Sequence, residues 1–363
     1  MSYFTAIISI QILAAILMVV LIAPNPIVSA DIKRGFISIF ILLGVISLLT
    51  WLNVCLNGAP KEYIPLHYVV KTMEFCLVPA AIAMGIGIFR NFTKKKLLWV
   101  FVLVHAVFEI VAAFFGLVFY IDSENVYVRG DLYFIYVVVY MVEVLIVALE
   151  FVAVGKKYQN RNPLVIIVSC IFVSYGVLVQ VFLSGVKTGF LTGEIAMIIA
   201  YSYVNNMILQ TDKITGLLNR WCYEKKLNEI NYETCLLIFD IDSFKSINDT
   251  FGHQVGDECL LLTASLLTKV FSREGYIYRM GGDEFCVIIK KKSKYADKSA
   301  EERIKALISK FEQEVRAVHA EEPRFTAVSV GYAYTDPEMP IEWSVERADK
   351  VMYEVKERNK IQD

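Results

Sequence analysis

Seven long apolar runs constrain what the first part of this chain can fold into. Each run is about 20 residues long, which is the length that an α-helix needs to cross the hydrocarbon core of a bilayer. Short polar segments separate them. The runs extend over Phe4 to Ala23, Phe36 to Cys55, His67 to Phe89, Leu97 to Ile121, Leu132 to Val154, Leu164 to Phe182 and Phe190 to Leu209. The sequence therefore predicts a multi-pass α-helical membrane bundle of about seven helices.

The basic residues of the short loops predict how these helices are oriented. Lysines and arginines accumulate in loops on the cytoplasmic side of membrane proteins. In this chain they occupy alternate loops, namely Lys33 and Arg34, then Arg90 with Lys94, Lys95 and Lys96, then Lys156, Lys157 and Arg161. We therefore expect the N-terminus outside and everything after Leu209 in the cytoplasm. The expected location is a bacterial-type inner membrane.

Several ionisable residues lie inside the apolar runs, where a charge is costly enough to be a functional candidate. Their spacings of three, four and seven residues place the members of each pair on one helix face. The favoured interpretation is that they are mutual partners that hold the bundle together. The alternative is that they line a cavity that senses a ligand or a proton. The pairs are Lys71 with Glu74, His105 with Glu109, and Glu143 with Glu150.

Charge is unevenly distributed along the chain. Hydrophobic residues make up 56% of the sequence and the net charge is -1, but charged residues are sparse before about Asn205 and dense after it. This shift predicts a transmembrane sensor region over 1–204, a short linker helix over 205–211 and a cytoplasmic domain over 212–363. No basic stripe with interleaved aromatic residues is present, so nucleic acid is not an expected partner.

The periodicity of residues 212–363 is that of an α/β domain. Short apolar runs typical of buried strands alternate with amphipathic stretches typical of helices. The predicted strands are Thr234 to Ile241, Tyr276 to Met280, Phe285 to Ile289 and Thr326 to Tyr334. The predicted helices are Arg220 to Glu229, His253 to Val270, Lys298 to Arg316 and Ile341 to Glu357, with a short one after Ser243.

Acidic residues stand at two strand ends of this domain. One apolar strand ends in Phe239-Asp240-Ile241-Asp242, and Gly281-Gly282-Asp283-Glu284 lies between two further apolar runs. The second pattern predicts a hairpin whose two glycines supply backbone freedom and let a nucleotide approach closely. If the two strands are neighbours, their carboxylates meet. Such a group can hold two magnesium ions, an arrangement suited to nucleotidyl transfer.

These motifs, taken together, resemble the diguanylate cyclase family. Gly281 to Phe285 spells GGDEF, residues 211–220 resemble the N-terminal signature DxLTGLxNR, and residues 240–257 follow the second family motif. Ser329 to Gly331 and residues 349–356 also fit. The resemblance implies a ferredoxin-like palm fold. It implies a membrane-bound enzyme that condenses two GTP into cyclic di-GMP and two pyrophosphates, under a signal sensed in the membrane region.

The resemblance also implies a metal site. By motif position, Asp240, the backbone carbonyl of Ile241 and Asp283 would bind Mg²⁺, with two ions in each active site and Mn²⁺ as a substitute. Asp283 would also be the general base for the ribose 3'-hydroxyl. Glu284 would assist metal binding and stabilise charge in the transition state, whereas Asp242 would support the site.

The expected substrate contacts follow from the same motifs. Asn248 and Asp257 would hydrogen-bond the guanine edge. A carboxylate accepts from donors of guanine that adenine lacks, which gives a physical reason for the use of GTP over ATP. Lys245 and Lys356 would neutralise the triphosphate. Each domain holds one GTP, so two copies must face each other before either hydroxyl can attack. The expected partners are therefore GTP, a second copy of the chain, and an unidentified small-molecule or membrane signal.

Two departures from the family pattern keep alternatives open. The product-inhibition motif RxxD is replaced by Ser272 and Gly275 at its two defining positions, so we expect no inhibition through that surface. The C-terminal pattern KxxGRN is shortened after Lys356, so the second basic role could fall to Arg358 or to Lys360. An active cyclase is favoured over a degenerate GTP or cyclic di-GMP receptor, and over a transporter or receptor whose soluble half is only regulatory.

Overall fold

The computed structural model describes residues 2–88, 95–157, 164–183, 187–290 and 298–362. It divides into two compact units, Met1–Leu209 and Gln210–Asp363. The division falls inside the predicted linker, and the part of this linker before Gln210 is helical. Arg90, Lys94 and Arg161, on which the predicted orientation partly rests, lie outside the described residues.

Seven helices account for the predicted apolar runs of the first unit. They are α1 (Ser2–Ile22), α2 (Ala30–Leu56), α3 (Ile64–Gly87), α4 (Lys95–Phe114), α5 (Tyr133–Lys157), α6 (Leu164–Phe182) and α7 (Gly189–Leu209). Among the described residues, five helical segments are long and apolar enough to cross a membrane, and these belong to α1, α2, α3, α5 and α6. Several membrane spans are thus supported, while a count of seven stays a prediction.

The fourth predicted run ends differently from the prediction. Helix α4 stops at Phe114, and the chain then forms a hairpin of β1 (Phe119–Ile121) and β2 (Tyr127–Arg129). Gly116, with φ of 65°, turns the chain out of the helix. Phe119 is then buried and stacks on Phe75 of α3 at 5.1 Å between ring centroids. Apolar content alone cannot distinguish this short strand from a continued helix.

Two of the three predicted pairs of ionisable residues inside the bundle are buried partners of one another. Lys71 Nζ lies 2.7 Å from Glu74 Oε2, as their spacing predicts. His105 Nε2 lies 3.3 Å from Glu109 Oε1, and its Nδ1 lies 2.7 Å from Glu143 Oε1. The contact between His105 and Glu143 joins two helices, so helical spacing could not predict it.

The second unit is an α/β domain whose elements lie within a few residues of the predicted ones for most helices and strands. Its helices are α8 (Arg220–Asn228), α9 (Phe244–Phe251), α10 (His253–Phe271), α11 (Lys298–Glu321) and α12 (Ile341–Gln362). Its strands are β3 (Cys235–Ile241), β4 (Gly275–Gly281), β5 (Glu284–Ile289) and β6 (Val328–Tyr334). The strands form one antiparallel sheet in the order β4-β5-β3-β6.

Strand β3 lies at the centre of this domain and all seven of its residues are buried. On one face, Phe239 packs edge-on against Phe271 of α10 and Phe311 of α11, with ring centroids 5.6 and 5.1 Å away. Burying each such ring contributes about 1.5–3 kcal/mol relative to leaving it exposed. A strand with apolar side chains on both faces is thereby fixed, and its polar end is held in a defined place.

The other face of the sheet carries α12, which packs closely on β6. A Cβ atom at Gly331 would lie 2.2 Å from the carbonyl oxygen of Ala348 and 2.2 Å from the amide nitrogen of Met352. Only glycine lets the helix backbone come this close to the strand. This close packing fixes the position of α12 along the sheet, and it thereby brings side chains near the C-terminal end of α12 to the end of β3.

Candidate active site

The acids of the two predicted motifs meet at one end of the sheet. Strands β3 and β5 are neighbours, and Asp240 stands directly opposite Glu284 in their register. The amide of Ile241 donates to the carbonyl oxygen of Asp283 at 3.3 Å. The backbone therefore brings together the four residues that the sequence predicted as metal-binding.

Charge accumulates at this end of the sheet. Asp240 is buried, Asp283 is half-buried and Glu284 is exposed. Burial raises the pKa of Asp240 above its ordinary value, against the hydrogen bond from Lys356, and the charge of Asp283 acts in the same direction as burial. Burial followed by the charges of Asp240 and Asp283 raises the pKa of Glu284. Carboxylates that destabilise one another in this way favour a bound cation.

Lys356 supplies the positive charge next to these acids. It projects from the last turns of α12, and its ammonium group donates a hydrogen bond to Asp240 Oδ1. The side chain that the sequence assigned to the triphosphate is thus attached to an expected metal ligand. A cation bound by Asp240 would free this ammonium to turn towards phosphate oxygens.

The described side chains alone do not provide all the ligands that a magnesium ion needs. Among the described residues, no group of three or more His, Cys, Asp and Glu side chains is arranged to hold a metal ion. Mg²⁺ is commonly bound by one or two carboxylates while water and substrate phosphates fill its other positions. Asp240 and Glu284, opposite each other beside Asp283, fit that manner of binding.

The glycine turn between β4 and β5 is held by an arginine that the sequence did not identify. Gly281 and Gly282 have φ values of 155° and 52°, which other residues rarely adopt. Arg279 donates from Nη2 and Nε to the Gly282 carbonyl oxygen, at 2.7 and 3.1 Å. Its Nη1 donates to Asp212 Oδ1 at 3.0 Å. We call Asp212, Arg279 and the Gly282 carbonyl the turn clamp.

Asp212 is itself fixed by local hydrogen bonds. Its Oδ1 accepts from the amide and from the hydroxyl of Thr215, both at 2.8 Å. Burial acts to raise the pKa of Asp212, but the bonds from Thr215 and Arg279 outweigh it and lower the pKa. The only sequence signal for the clamp was the position of Asp212 inside the motif at residues 211–220, and that motif gave it no role.

Asp242 is committed to a polar network on the same edge. Ser329 Oγ donates to its two carboxylate oxygens at 2.7 and 3.0 Å, and Asn359 Nδ2 donates to Oδ2 at 3.1 Å. These contacts agree with the expected supporting role. Arg358, one candidate for the second basic role, donates to the carbonyl oxygen of Glu354, while the side chain of Lys360 lies outside the described residues.

The expected base-reading residues lie on two consecutive helices. Asn248 is on α9, and its Oδ1 packs so closely on Gly256 of α10 that a Cβ there would be 2.0 Å away. Asp257 follows directly and is exposed, as is Lys245. The described contacts do not join Lys245 or Asp257 to the carboxylates of the sheet. Their expected roles therefore stay predictions.

Comparison with known families places this domain. Residues 209–362 match the family model described as diguanylate cyclase, GGDEF domain. A probable diguanylate cyclase of Escherichia coli K12, DgcC, is 37% identical over 155 residues, covering 40% of this chain and 40% of the relative. The diguanylate cyclase DgcP of Pseudomonas aeruginosa is 33% identical over 153 residues, covering 40% of this chain and 22% of the relative.

Other similar proteins cover the same part of the chain. The signaling protein YkoW of Bacillus subtilis is 34% identical over 149 residues, covering 40% of this chain and 17% of the relative. The matched region thus spans 17–40% of the length of these three curated relatives. Among solved structures, the GGDEF domain of DgcB from Caulobacter crescentus in complex with c-di-GMP is 28% identical, covers 41% of this chain and 90% of that chain, and has a TM-score of 0.35.

Proposed function

We propose that this chain, whose residues 209–362 form a GGDEF domain, is a membrane-bound diguanylate cyclase. It would condense two GTP into cyclic di-GMP and two pyrophosphates. The observation that carries the proposal is the register of β3 and β5, which sets Asp240 opposite Glu284 beside the carbonyl of Asp283. The sheet order β4-β5-β3-β6 supports a ferredoxin-like palm.

The carboxylates would hold magnesium next to the triphosphate. Asp240, the Ile241 carbonyl, Asp283 and Glu284 are the proposed ligands, two ions being expected in each site. When bound, Mg²⁺ neutralises phosphate charge and acidifies a nearby hydroxyl, which is the chemistry that nucleotidyl transfer requires. Asp283 would accept the proton of the ribose 3'-hydroxyl at its carboxylate.

The remaining proposed residues bind and orient GTP. Asn248 and Asp257 would hydrogen-bond the guanine edge, with the Asp257 carboxylate as an acceptor, and Lys245 would neutralise the triphosphate with Lys356. A Cβ atom added at Gly281 or at Gly282 would meet no other atom within 4 Å, which leaves room for a nucleotide beside the turn. Most of the rate enhancement would then come from positioning and electrostatics.

Two copies of the domain are needed for the proposed reaction. The 3'-oxygen of one GTP forms a bond to the α-phosphorus of the other, and pyrophosphate leaves. In the second step, the 3'-oxygen of the other GTP forms a bond to the α-phosphorus of the first, a second pyrophosphate leaves, and the ring closes. Each copy therefore contributes one GTP. We therefore propose a homodimer in a bacterial-type inner membrane with the cyclase domain in the cytoplasm. The five apolar helical segments support the membrane anchor, and the bundle would receive the regulating signal.

The test is the formation of product by the full-length protein purified in detergent. With GTP and Mg²⁺, we expect cyclic di-GMP, detected by mass. The rate of product formation by the Asp283→Ala variant should be about 10²–10³-fold lower, because removing one preorganised electrostatic group from an active site has an effect of that size. Asp249→Ala is the matched control, because Asp249 is an exposed acid on α9.

Two outcomes would change the proposal. Unchanged product formation by Asp283→Ala would remove Asp283 from the mechanism. Binding of GTP or cyclic di-GMP by the wild type without any product would favour the receptor alternative.

A further inference from the structure

A polar cavity of about 600 Å³ lies inside the helical unit. It is lined from the start of α1, the C-terminal half of α2, the first half of α3, strand β2, the start of α5, the end of α6 and the start of α7. Helix α7 begins at this cavity with Gly189 and ends at Leu209, the last residue of the unit. By the orientation that the basic loops predict, this is the end of the bundle away from the cytoplasm.

The charged side chains of the lining are mostly cations. Lys71, Arg129 and Lys187 face Glu74 as the only carboxylate among the described lining residues. Lys71 is paired with Glu74. Arg129 donates to the carbonyl oxygens of Gln180 and Val181 at 2.8 and 2.6 Å, and these neutral acceptors cap α6 without neutralising the guanidinium charge.

Two of these cations share one aromatic ring. Lys71 Nζ lies 4.7 Å and Lys187 Nζ 5.4 Å from the ring centroid of Tyr127. The described residues place no carboxylate within ion-pair distance of Lys187. Its backbone is fixed on the C-terminal side, where the Thr188 hydroxyl donates to Gly176 and the Gly189 amide donates to Gln180 Oε1. Positive charge held in place without a counter-charge favours an anion.

One histidine of the lining, His67, has a buried ring nitrogen with no hydrogen-bond partner among the described residues. His67 is fully buried, and its Nδ1 lies 2.9 Å from Asn125 Oδ1. Asn125 Nδ2 donates to the carbonyl oxygens of Leu56 and Ala59, both at 3.0 Å, so its Oδ1 can only accept. His67 Nδ1 therefore carries a proton. In the neutral ring, Nε2 is then an acceptor that no described donor satisfies.

Asn53 is a second lining residue whose buried acceptor atom needs a hydrogen-bond donor. Asn53 Nδ2 donates to Glu74 Oε2, which assigns the orientation of the amide because a carboxylate only accepts. Asn53 Oδ1 is buried and has no hydrogen-bond partner in the part of the chain that the structure describes. A buried polar atom without a partner costs free energy. A ligand with a hydrogen-bond donor would recover that free energy.

Aromatic side chains make up much of the rest of the wall. Phe75, Tyr127, Tyr133 and Tyr136 contribute to it, and the rings of Phe75 and Tyr136 lie 4.7 Å apart between centroids. An aromatic ligand would pack edge-on or offset against such rings. The volume is within the range of cavities that hold small organic molecules.

We propose that this cavity binds a small aromatic carboxylate that carries a hydroxyl group. The carboxylate lies between Lys187 and Lys71, the hydroxyl donates to His67 Nε2 or Asn53 Oδ1, and the ring packs among the tyrosines. The buried charges in the sequence left open the alternative of a cavity that senses a ligand, and the lining indicates the chemical class of that ligand. The inference does not rest on the proposed enzymatic function, because binding alone tests it.

The experiment measures binding of two probes to the full-length protein in detergent by equilibrium dialysis. Phenyllactate and para-hydroxycinnamate carry the ring, the carboxylate and a hydroxyl at different distances. We expect saturable binding of at least one. Phenyllactamide lacks the charge and phenylpropionate lacks the hydroxyl, so each should bind about tenfold more weakly than phenyllactate if phenyllactate is the probe that binds.

Matched variants locate the bound probe. Lys187→Gln should weaken binding about tenfold or more, because a charge-assisted bond is lost. Lys187→Arg should restore it. Lys61→Gln removes the same charge from an exposed lysine at the same end, outside the lining, and should leave binding unchanged. A melting temperature of Lys187→Gln near the wild-type value shows that the variant is folded.

Three results would overturn the inference. One is the absence of saturable binding of both probes. The second is equal binding of the amide and the carboxylate, which would remove the role of the cations. The third is equal binding by Lys187→Gln and Lys61→Gln, which would place the probe elsewhere on the protein.

Discussion

The two units each hold a lysine against a buried carboxylate, but by different means. In the sheet, the backbone register of β3 and β5 fixes Asp240, and α12 brings Lys356 to it. In the bundle, Lys71 and Glu74 are three residues apart on α3, and Thr50 and Asn53 of α2 complete the hydrogen bonds of Glu74. The first pair belongs to a partly solvated edge, whereas the second is enclosed.

The two pairs differ in how firmly the carboxylate is held. Side-chain exposure is 20% and 10% for Lys356 and Asp240, but 7% and 4% for Lys71 and Glu74. Thr50 and Asn53 keep Glu74 in place when its lysine is removed, whereas an edge carboxylate can turn to water. We therefore expect the bundle lysine to matter most for stability and the sheet lysine most for catalysis.

The largest expected effect on folding follows from Lys71→Met. The substitution removes the ion-pair partner of the buried Glu74, and breaking a buried pair in this way costs about 3–5 kcal/mol. The midpoint of unfolding in SDS titrations of the detergent-solubilised protein measures it. Lys61→Met breaks the exposed pair with Glu124 and should change the free energy of unfolding by less than about 1 kcal/mol. Equal shifts for the two variants would contradict the contrast between enclosed and exposed pairs.

Lys356→Met should act in the opposite manner. Its effect on the unfolding midpoint should be smaller than that of Lys71→Met, while the rate of cyclic di-GMP formation falls about 10²-fold through lost phosphate neutralisation. Product formation at saturating and limiting GTP measures the effect. The control is Lys350→Met, an exposed lysine of the same helix. A rate close to that of the control would assign Lys356 a purely structural role.

Arg279→Lys examines how much of the sheet site depends on the turn clamp. Lysine keeps the charge but cannot reach Asp212 and the Gly282 carbonyl together as the guanidinium does. We expect a loss of about 10-fold in kcat, comparable to losing an outer-shell partner of a metal ligand. Arg273→Lys, at an exposed position, should be silent. An unchanged kcat would mean that the glycine turn holds its conformation without the clamp.

The smallest expected effect is the pH dependence of the cavity. Burial, and then the charge of Lys71, lowers the pKa of Lys187 to about 8, with Arg129 acting in the same direction and Glu74 opposing. Because an anion binds the protonated form, its affinity should fall as pH rises through this value. Phenyllactate, if it is the probe that binds, should bind several-fold more weakly at high pH than at neutral pH. Lys187→Arg does not titrate in this range, so a similar decline in that variant would exclude Lys187 as the cause.

The sequence was a better guide to the sheet site than to the cavity, for a physical reason. Strand periodicity and the order of the motifs place Asp240 and Asp283 at strand ends. These residues then meet on a single condition, namely that the two strands are neighbours in the sheet. Among the described residues, the cavity brings together side chains from seven helices and strands that are distant in the sequence, and its lining includes His67 and Lys187. Helical spacing shows only which residues share a face, so it identified Lys71 with Glu74 but not His105 with Glu143.

The same limit applies to local detail. The turn clamp depends on the reach of one guanidinium across a hairpin, and the β1–β2 hairpin depends on a glycine after an apolar helix. Neither has a periodic signature. The expected guanine contacts at Asn248 and Asp257, the metal ions and the dimer stay predictions.

The position of Lys356 and Asn359 in the last turns of α12 also has a consequence for biosynthesis. Both side chains bond acids at the end of β3, although more than a hundred residues separate them from that strand. Domains emerge from the ribosome N-terminal part first. The membrane helices and most of the sheet are therefore synthesised before the acidic edge receives its lysine, so a nascent chain would be anchored before it could turn over nucleotide.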